Sequence, residues 1–157
     1  MAANNYRFES NWHVPATPEV VTDILSDAEG LPRWWPQVYL SVEPRGEHEY
    51  ALHTRGWLPY TLRWNFRVTS TNHPHGFSLE AWGDLEGRGV WTFRPTAAGT
   101  DIHYLWVVQA EKPVLRYLSF VLKPVFAANH RWAMARGEES LQGEIKRLQV
   151  LPRRHIG

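Results

Sequence analysis

The stretch Tyr60-Thr61-Leu62-Arg63-Trp64-Asn65-Phe66-Arg67-Val68 decides the fold. Large apolar side chains recur at every second position, and Thr61, Arg63, Asn65 and Arg67 stand between them. A period of two puts Tyr60, Leu62, Trp64, Phe66 and Val68 on one face of a β-strand and the polar residues on the other. A strand apolar on one face and solvated on the other belongs to an antiparallel sheet covered on one side.

Working outward, the same alternation repeats. Upstream, Val38–Glu43 and Glu49–Thr54 flank the turn Pro44-Arg45-Gly46, and Phe8, Ser10, Trp12 and Val14 alternate with Glu9, Asn11 and His13. Downstream, the turn at Asn72-His73-Pro74-His75-Gly76 leads into Phe77–Trp82. Gly83-Asp84-Leu85-Glu86-Gly87 reads as a connection into Val90–Arg94, and Ala98-Gly99 leads into Ile102–Ala110. Two short helices interrupt the strands after the first. Thr17 caps one, with Pro18 in its first turn and Val20, Val21, Ile24 and Leu25 as its stripe; the other spans Leu31–Trp35 and stops at Pro36.

The last third is helical. Val114–Leu122 reads as a short apolar helix, and Pro124 opens a new one reaching about Gln149. The inner stripe of that helix is Phe126, His130, Ala133, Met134, Gly137, Leu141, Ile145 and Leu148, with Arg131, Arg136, Glu138, Glu139, Gln142 and Lys146 outside. The order is strand, two short helices, six strands, long helix. This is an α+β architecture in which a seven-stranded antiparallel sheet packs its apolar face on the C-terminal helix. Without repeats or a linker, one domain spans residues 1–157, its core about 6–149 and its tail 150–157 frayed.

Composition narrows the chemistry. The 157 residues carry 17 basic and 16 acidic side chains, a net charge of +1 that leaves no electrostatic footprint for nucleic acid. There is no cysteine, which removes disulfides, thiolate metal sites and cysteine nucleophiles together. No apolar signal segment opens the sequence, and Arg116, Lys123 and Pro124 break its most apolar stretch, so a cytoplasmic protein is expected. Nine Trp, six Tyr and six Phe are the one outlying feature, and aromatic side chains concentrate in cores and ligand cavities.

Three local patterns are familiar: Leu25-x-Asp27 running to Leu31-x-x-Trp34-Trp35-Pro36, Gly83-Asp84-Leu85-x-Gly87-x-Gly89-x-Trp91, and Asn129-His130 ahead of Met134. With the element order, they resemble the START/SRPBCC superfamily, in its polyketide cyclase/dehydrase and lipid-transport branch, from about Tyr6 to Leu148. The resemblance implies a helix-grip fold, a curved sheet wrapped around the long helix with an apolar cavity between them. Its members include lipid and sterol carriers, hormone receptors, aromatase/cyclases, coenzyme Q-binding proteins and chaperone ATPase activators, and fold alone does not choose among them.

Within such a cavity the alternation aims Tyr60, Trp64, Phe66, Trp91, Phe93, Tyr104 and Trp106 at the helix, which faces them with His130, Ala133, Met134 and Gly137. Tyr104, the Trp64 indole N–H and His130 are the polar groups expected to orient a ligand. His130 is also the one candidate for proton transfer, since its ordinary pKa lies near neutrality; its everyday alternative is a histidine bonded to a neighbouring carbonyl or turned to solvent. Gly137 reads as room left for a ligand, or else as close contact with a ring. Asp84 and Glu86 serve turn chemistry, and Gly87-Arg88-Gly89 leads into a strand and so is no phosphate loop. His73 and His75 lack a third ligand, and neither metal nor cofactor is expected. Trp82 and Trp132 fall off the inner stripes without an assigned role. Residues 114–122 either pack between the sheet edge and the long helix or make a lid or transient membrane contact. The expected function is binding or transport of a small hydrophobic molecule, a lipid, an isoprenoid or quinone, or an aromatic polyketide. The alternatives are a cyclase/aromatase-like enzyme and a protein-interaction module.

Overall fold

The computed structural model describes residues 5–56, 58 and 60–150. Seven strands, β1 (Asn5–Val14), β2 (Tyr39–Gly46), β3 (Glu49–Arg55), β4 (Thr61–Asn72), β5 (Gly76–Gly83), β6 (Leu85–Thr96) and β7 (Gly99–Ala110), form one curved antiparallel sheet. Their spatial order is β1-β7-β6-β5-β4-β3-β2. Chain neighbours pair throughout β2 to β7, whereas β1 pairs with β7, Phe8 opposite Trp106 and Trp12 opposite Ile102. Helices α1 (Pro18–Leu25) and α2 (Leu31–Trp34) lie between β1 and β2 in the chain, and α3 (Pro113–Val150) covers the concave face.

Local chemistry explains the short elements. The Thr17 hydroxyl accepts a hydrogen bond from the Val20 amide at 3.4 Å, and Pro18 fills the first turn, where no amide proton is needed. The Thr22 hydroxyl then donates to the Pro74 carbonyl at 2.9 Å and fixes α1 on the β4–β5 turn. Strand alternation holds as read: Trp64, Phe66, Phe77, Leu79, Trp91, Phe93, Tyr104 and Trp106 are buried, while Arg63, Arg67 and Arg94 are exposed.

The structure departs from the sequence reading in three ways. The break expected between Leu122 and Pro124 is absent, and α3 is one helix of 38 residues with Pro124 inside it. An interior proline costs about 3 kcal/mol. Packing immediately beyond it, Phe126 edge-on to Tyr60 at 6.3 Å and to Tyr6 at 6.5 Å, holds the helix through the break. Leu148, assigned to the inner stripe, is 40% exposed, because the last inward residue is Ile145. Third, β6 begins at Leu85, so Leu85 to Gly87 are strand and the β5–β6 connection is Asp84 alone. Asp84 accepts a hydrogen bond from the Arg63 amide at 2.8 Å, the turn role expected of it.

Two contacts set α3 over the sheet. Glu144, with its side chain 3% exposed, is clamped by Arg33 of α2 and by Arg147, whose Nε lies 2.7 Å away. These two guanidiniums hold its carboxyl down to about pKa 2. About two turns earlier the Trp35 indole lies against α3 at Gly137. A β-carbon at that glycine would stand 2.6 Å from Trp35 Cε2 and 2.7 Å from Cη2. The space above the glycine is therefore occupied by a ring, and Gly137 is a packing residue.

Gly137→Leu is accordingly expected to destabilise. Overfilling a packed site costs about 1–3 kcal/mol, and the gain in helix propensity returns at most about 1 kcal/mol. The melting temperature should fall by several degrees in a thermal scan; an unchanged or higher value would mean that Trp35 does not sit there.

Candidate functional site

Between α3 and the concave face, toward the Phe126 end of the helix, lies a cavity of about 150 Å³. The sheet supplies Trp64 and Leu62 from β4, Trp91 from β6 and Tyr104, Trp106 and Val108 from β7; α3 supplies Phe126, Asn129, His130, Ala133 and Met134. A second space of about 40 Å³ lies deeper, and the two share Trp35, Tyr39, Trp64, Trp91 and Tyr104 as walls. Those rings are mutually locked: Trp91 stacks on Tyr104 at 4.0 Å, Tyr104 on Trp106 at 5.9 Å, and Trp35 meets Tyr39 at 5.0 Å. The main space is the size that holds a single aromatic ring, about half the lower bound for drug-sized ligands.

Of the residues assigned from sequence, Tyr60, Trp64, Trp91, Tyr104, Trp106, His130, Ala133 and Met134 wall the cavity. Phe66, Phe93 and Gly137 do not. Phe66 borders the deeper space, Phe93 is 1% exposed in the closed end of the core, and Gly137 is covered by Trp35. The structure adds Tyr6, Phe8, Trp35, Val38, Tyr39 and Thr54. Phe8 was recoverable from the alternation of the first strand. Trp35 and Tyr39 were not, since they enter from the end of α2 and the start of β2.

The polar groups behave differently from expectation. The Trp64 indole N–H donates to the Thr54 hydroxyl at 2.9 Å and is thus already satisfied. The His130 ring stacks on Phe8 at 4.1 Å, and its Nε2 is shielded from solvent with no hydrogen-bond partner among the described residues. The Trp35 Nε1 is shielded and unpartnered in the same sense. Each such group costs about 1–3 kcal/mol if nothing meets it. Burial, with a smaller contribution from the neighbouring Arg131, pulls the imidazole pKa down to about 4, so His130 is neutral at pH 7. Burial pushes Tyr60 up to about 12 and raises Tyr39 and Tyr104 as well. These titratable walls are therefore uncharged over the whole physiological range.

One edge of the cavity is closed by the chain after β3. The Asn129 carboxamide accepts a hydrogen bond from the Leu58 amide at 3.4 Å, and a β-carbon on Gly56 would lie 2.6 Å from Asn129 Cγ. A side chain at 56 would have to displace the Asn129 carboxamide. Elsewhere, Trp82 lies 38% exposed on the outer face of β5, opposite Asn65. Trp132 is partly exposed on α3. No group of three His, Cys, Asp or Glu side chains converges among the described residues. The role expected of 114–122 rests largely on side chains outside the described residues; Tyr117, which is described, is 83% exposed. No described helix is long and apolar enough to cross a membrane.

A family model described as polyketide cyclase/dehydrase and lipid transport matches residues 6–146. No curated protein matches the chain significantly. Among solved structures, the Zhui aromatase/cyclase from Streptomyces sp. R1128 is similar at a TM-score of 0.68 and 15% identity, over 91% of this chain and 94% of that one. A conserved protein from Geobacillus kaustophilus has a TM-score of 0.68 at 18% identity, over 91% and 95%. The di-domain ARO/CYC StfQ from the steffimycin biosynthetic pathway has a TM-score of 0.64 at 16% identity, over 92% of this chain and 53% of that one. At these identities the structures agree in fold.

His130 gives the site a pH signature. In the unfolded chain a histidine protonates near 6.5, whereas folded His130 stays neutral down to about 4. The unfolded state binds more protons in that window, so this group's contribution is full above about pH 6.5 and is lost as the pH falls toward 4. The loss should amount to roughly 2–3 kcal/mol. Urea unfolding of the wild type and His130→Phe at pH 7.0, 5.5 and 4.5 measures it. The variant is expected to show the shallower decline; parallel profiles would mean that the imidazole is not buried neutral.

Proposed function

The chain belongs to the polyketide cyclase/dehydrase and lipid transport family, and from that premise we propose that it binds a small hydrophobic molecule in the cavity under α3 without transforming it. The observation that carries this reading is an aromatic cavity whose histidine and tyrosines are uncharged near neutrality. General acid–base catalysis needs a group whose pKa lies near the working pH. His130 at about 4 is too weak a base, and Tyr60 at about 12 is too weak an acid. Affinity would come from burying apolar ligand surface, at about 25 cal/mol per Å², against rings already held in place by their neighbours.

A second reading, a cyclase-like enzyme, is favoured by the family's description and by neighbours described as aromatase/cyclases. On that reading the pocket would fold a reactive chain by proximity and His130 would move a proton. The cavity volume of about 150 Å³ favours a compact ligand over an extended polyketide.

Among the described residues four tryptophans wall the cavity, Trp35, Trp64, Trp91 and Trp106. Titration with a panel of small aromatics, quinones and fatty acids should therefore quench or shift the tryptophan emission saturably for at least one compact member. Native mass spectrometry of freshly purified protein should show the same class of ligand retained. A flat response across the panel would remove the binding reading, and turnover of a bound polyketide mimic would put the enzyme reading ahead.

A further inference from the structure

The last glycine of the Gly83-Asp84-Leu85-x-Gly87-x-Gly89-x-Trp91 pattern lies inside β6, opposite Leu79 of β5 on one side and Trp106 of β7 on the other. Gly89 is buried and takes no positive φ, so the backbone there does not require glycine. A glycine in a strand interior weakens the strand and marks a place where something approaches closely. Here two rings approach. A β-carbon at Gly89 would stand 2.7 Å from Tyr104 Oη, 3.0 Å from Tyr104 Cε1 and 3.1 Å from Trp106 Cε3.

Tyr104 and Trp106 both wall the cavity under α3. Tyr104 stacks on Trp91 at 4.0 Å and on Trp106 at 5.9 Å, which blocks its sideways escape. The strand beneath is paired on both sides and cannot sink. The direction left to the rings is away from the sheet, into the cavity. Ordinary contact at about 3.5 Å would push Tyr104 Oη back by roughly 0.8 Å, a large step in a space the size of one ring. Resting on the binding function proposed above, we propose that Gly89 is a specificity-determining residue. By letting Tyr104 and Trp106 lie down on β6, it sets the depth of the cavity and so the largest ring compound that the cavity admits.

Calorimetry with benzene, toluene and ethylbenzene tests this. In the wild type, affinity should rise several-fold with each added carbon, as more apolar surface is buried. In Gly89→Ala the rise should flatten or reverse, ethylbenzene weakening by about tenfold or more and benzene much less. Tyr104→Phe removes the atom nearest the new methyl group. It should therefore strengthen ethylbenzene binding several-fold more in the Gly89→Ala background than in the wild type. A Gly89→Ala protein that melts earlier yet keeps the wild-type series would overturn the inference and leave Gly89 a packing residue. Should Gly89→Ala not fold, the same series in Tyr104→Phe and in Gly89→Ala/Tyr104→Phe decides the question, because the contacts with Cε1 and Trp106 persist. Identical series in those two proteins would overturn the inference. Folded wild-type protein that binds none of the three probes would overturn the binding function proposed above, and this inference with it.

Discussion

The contact between the Trp35 indole and the bare backbone of α3 at Gly137 sets the geometry of everything above the sheet. Trp35 is 2% exposed and is held by Trp12 of β1 at 5.8 Å, Trp34 of α2 at 5.6 Å and Tyr39 of β2 at 5.0 Å, so three elements besides α3 fix its position. The helix can descend onto that ring only where it carries no β-carbon. Arg33, two residues before the tryptophan, reaches Glu144 two turns further along α3 and ties the same two elements through a buried carboxylate. On the other side of the contact, toward Phe126, small Ala133 and flexible Met134 face the sheet, and the cavity opens there. One glycine thus closes one half of the helix–sheet interface, and the other half keeps its space.

That arrangement carries a chemical consequence. Burial among stacked rings lowers the pKa of His130 and raises those of Tyr39, Tyr60 and Tyr104, so these walls stay uncharged near neutrality. The same burial that makes the pocket attractive to an apolar molecule makes it a poor place for proton transfer near neutrality. Fold membership permits both carriers and cyclases.

The sheet was legible in the sequence because its signal is local. Period-two alternation in Tyr60–Val68 needs no partner to be read, and hairpins between successive strands follow from the turn residues. The cover of the sheet by the C-terminal helix followed from that helix's apolar stripe, and the curved grip with its cavity from the resemblance; the pairing of β1 with β7 was not read, since no local pattern encodes a contact about 100 residues distant. The errors share that cause. Pro124 signals a break by its own chemistry, and the packing of Phe126 against Tyr6 and Tyr60 overrides it. Gly137 signals space, and a tryptophan from the end of α2 fills that space. Phe66 and Phe93 share the inward face with Trp64 and Trp91, yet alternation says which face a residue takes and nothing about which end of the sheet is filled. Trp35 escaped notice as a wall because it lies just outside the periodic elements.

The measurement that bears most directly on this arrangement is whether a ring-sized, mostly apolar space lies between the sheet and α3. Xenon pressurisation of crystals tests it without assuming any ligand, because xenon enters dry apolar cavities of this size. The account predicts a xenon site within van der Waals reach of Trp35, Trp64, Tyr104 and Ala133, displaced or lost when a bulky residue replaces Ala133. A crystal structure with no xenon there, its rings collapsed against Ala133 and Met134, would contradict it.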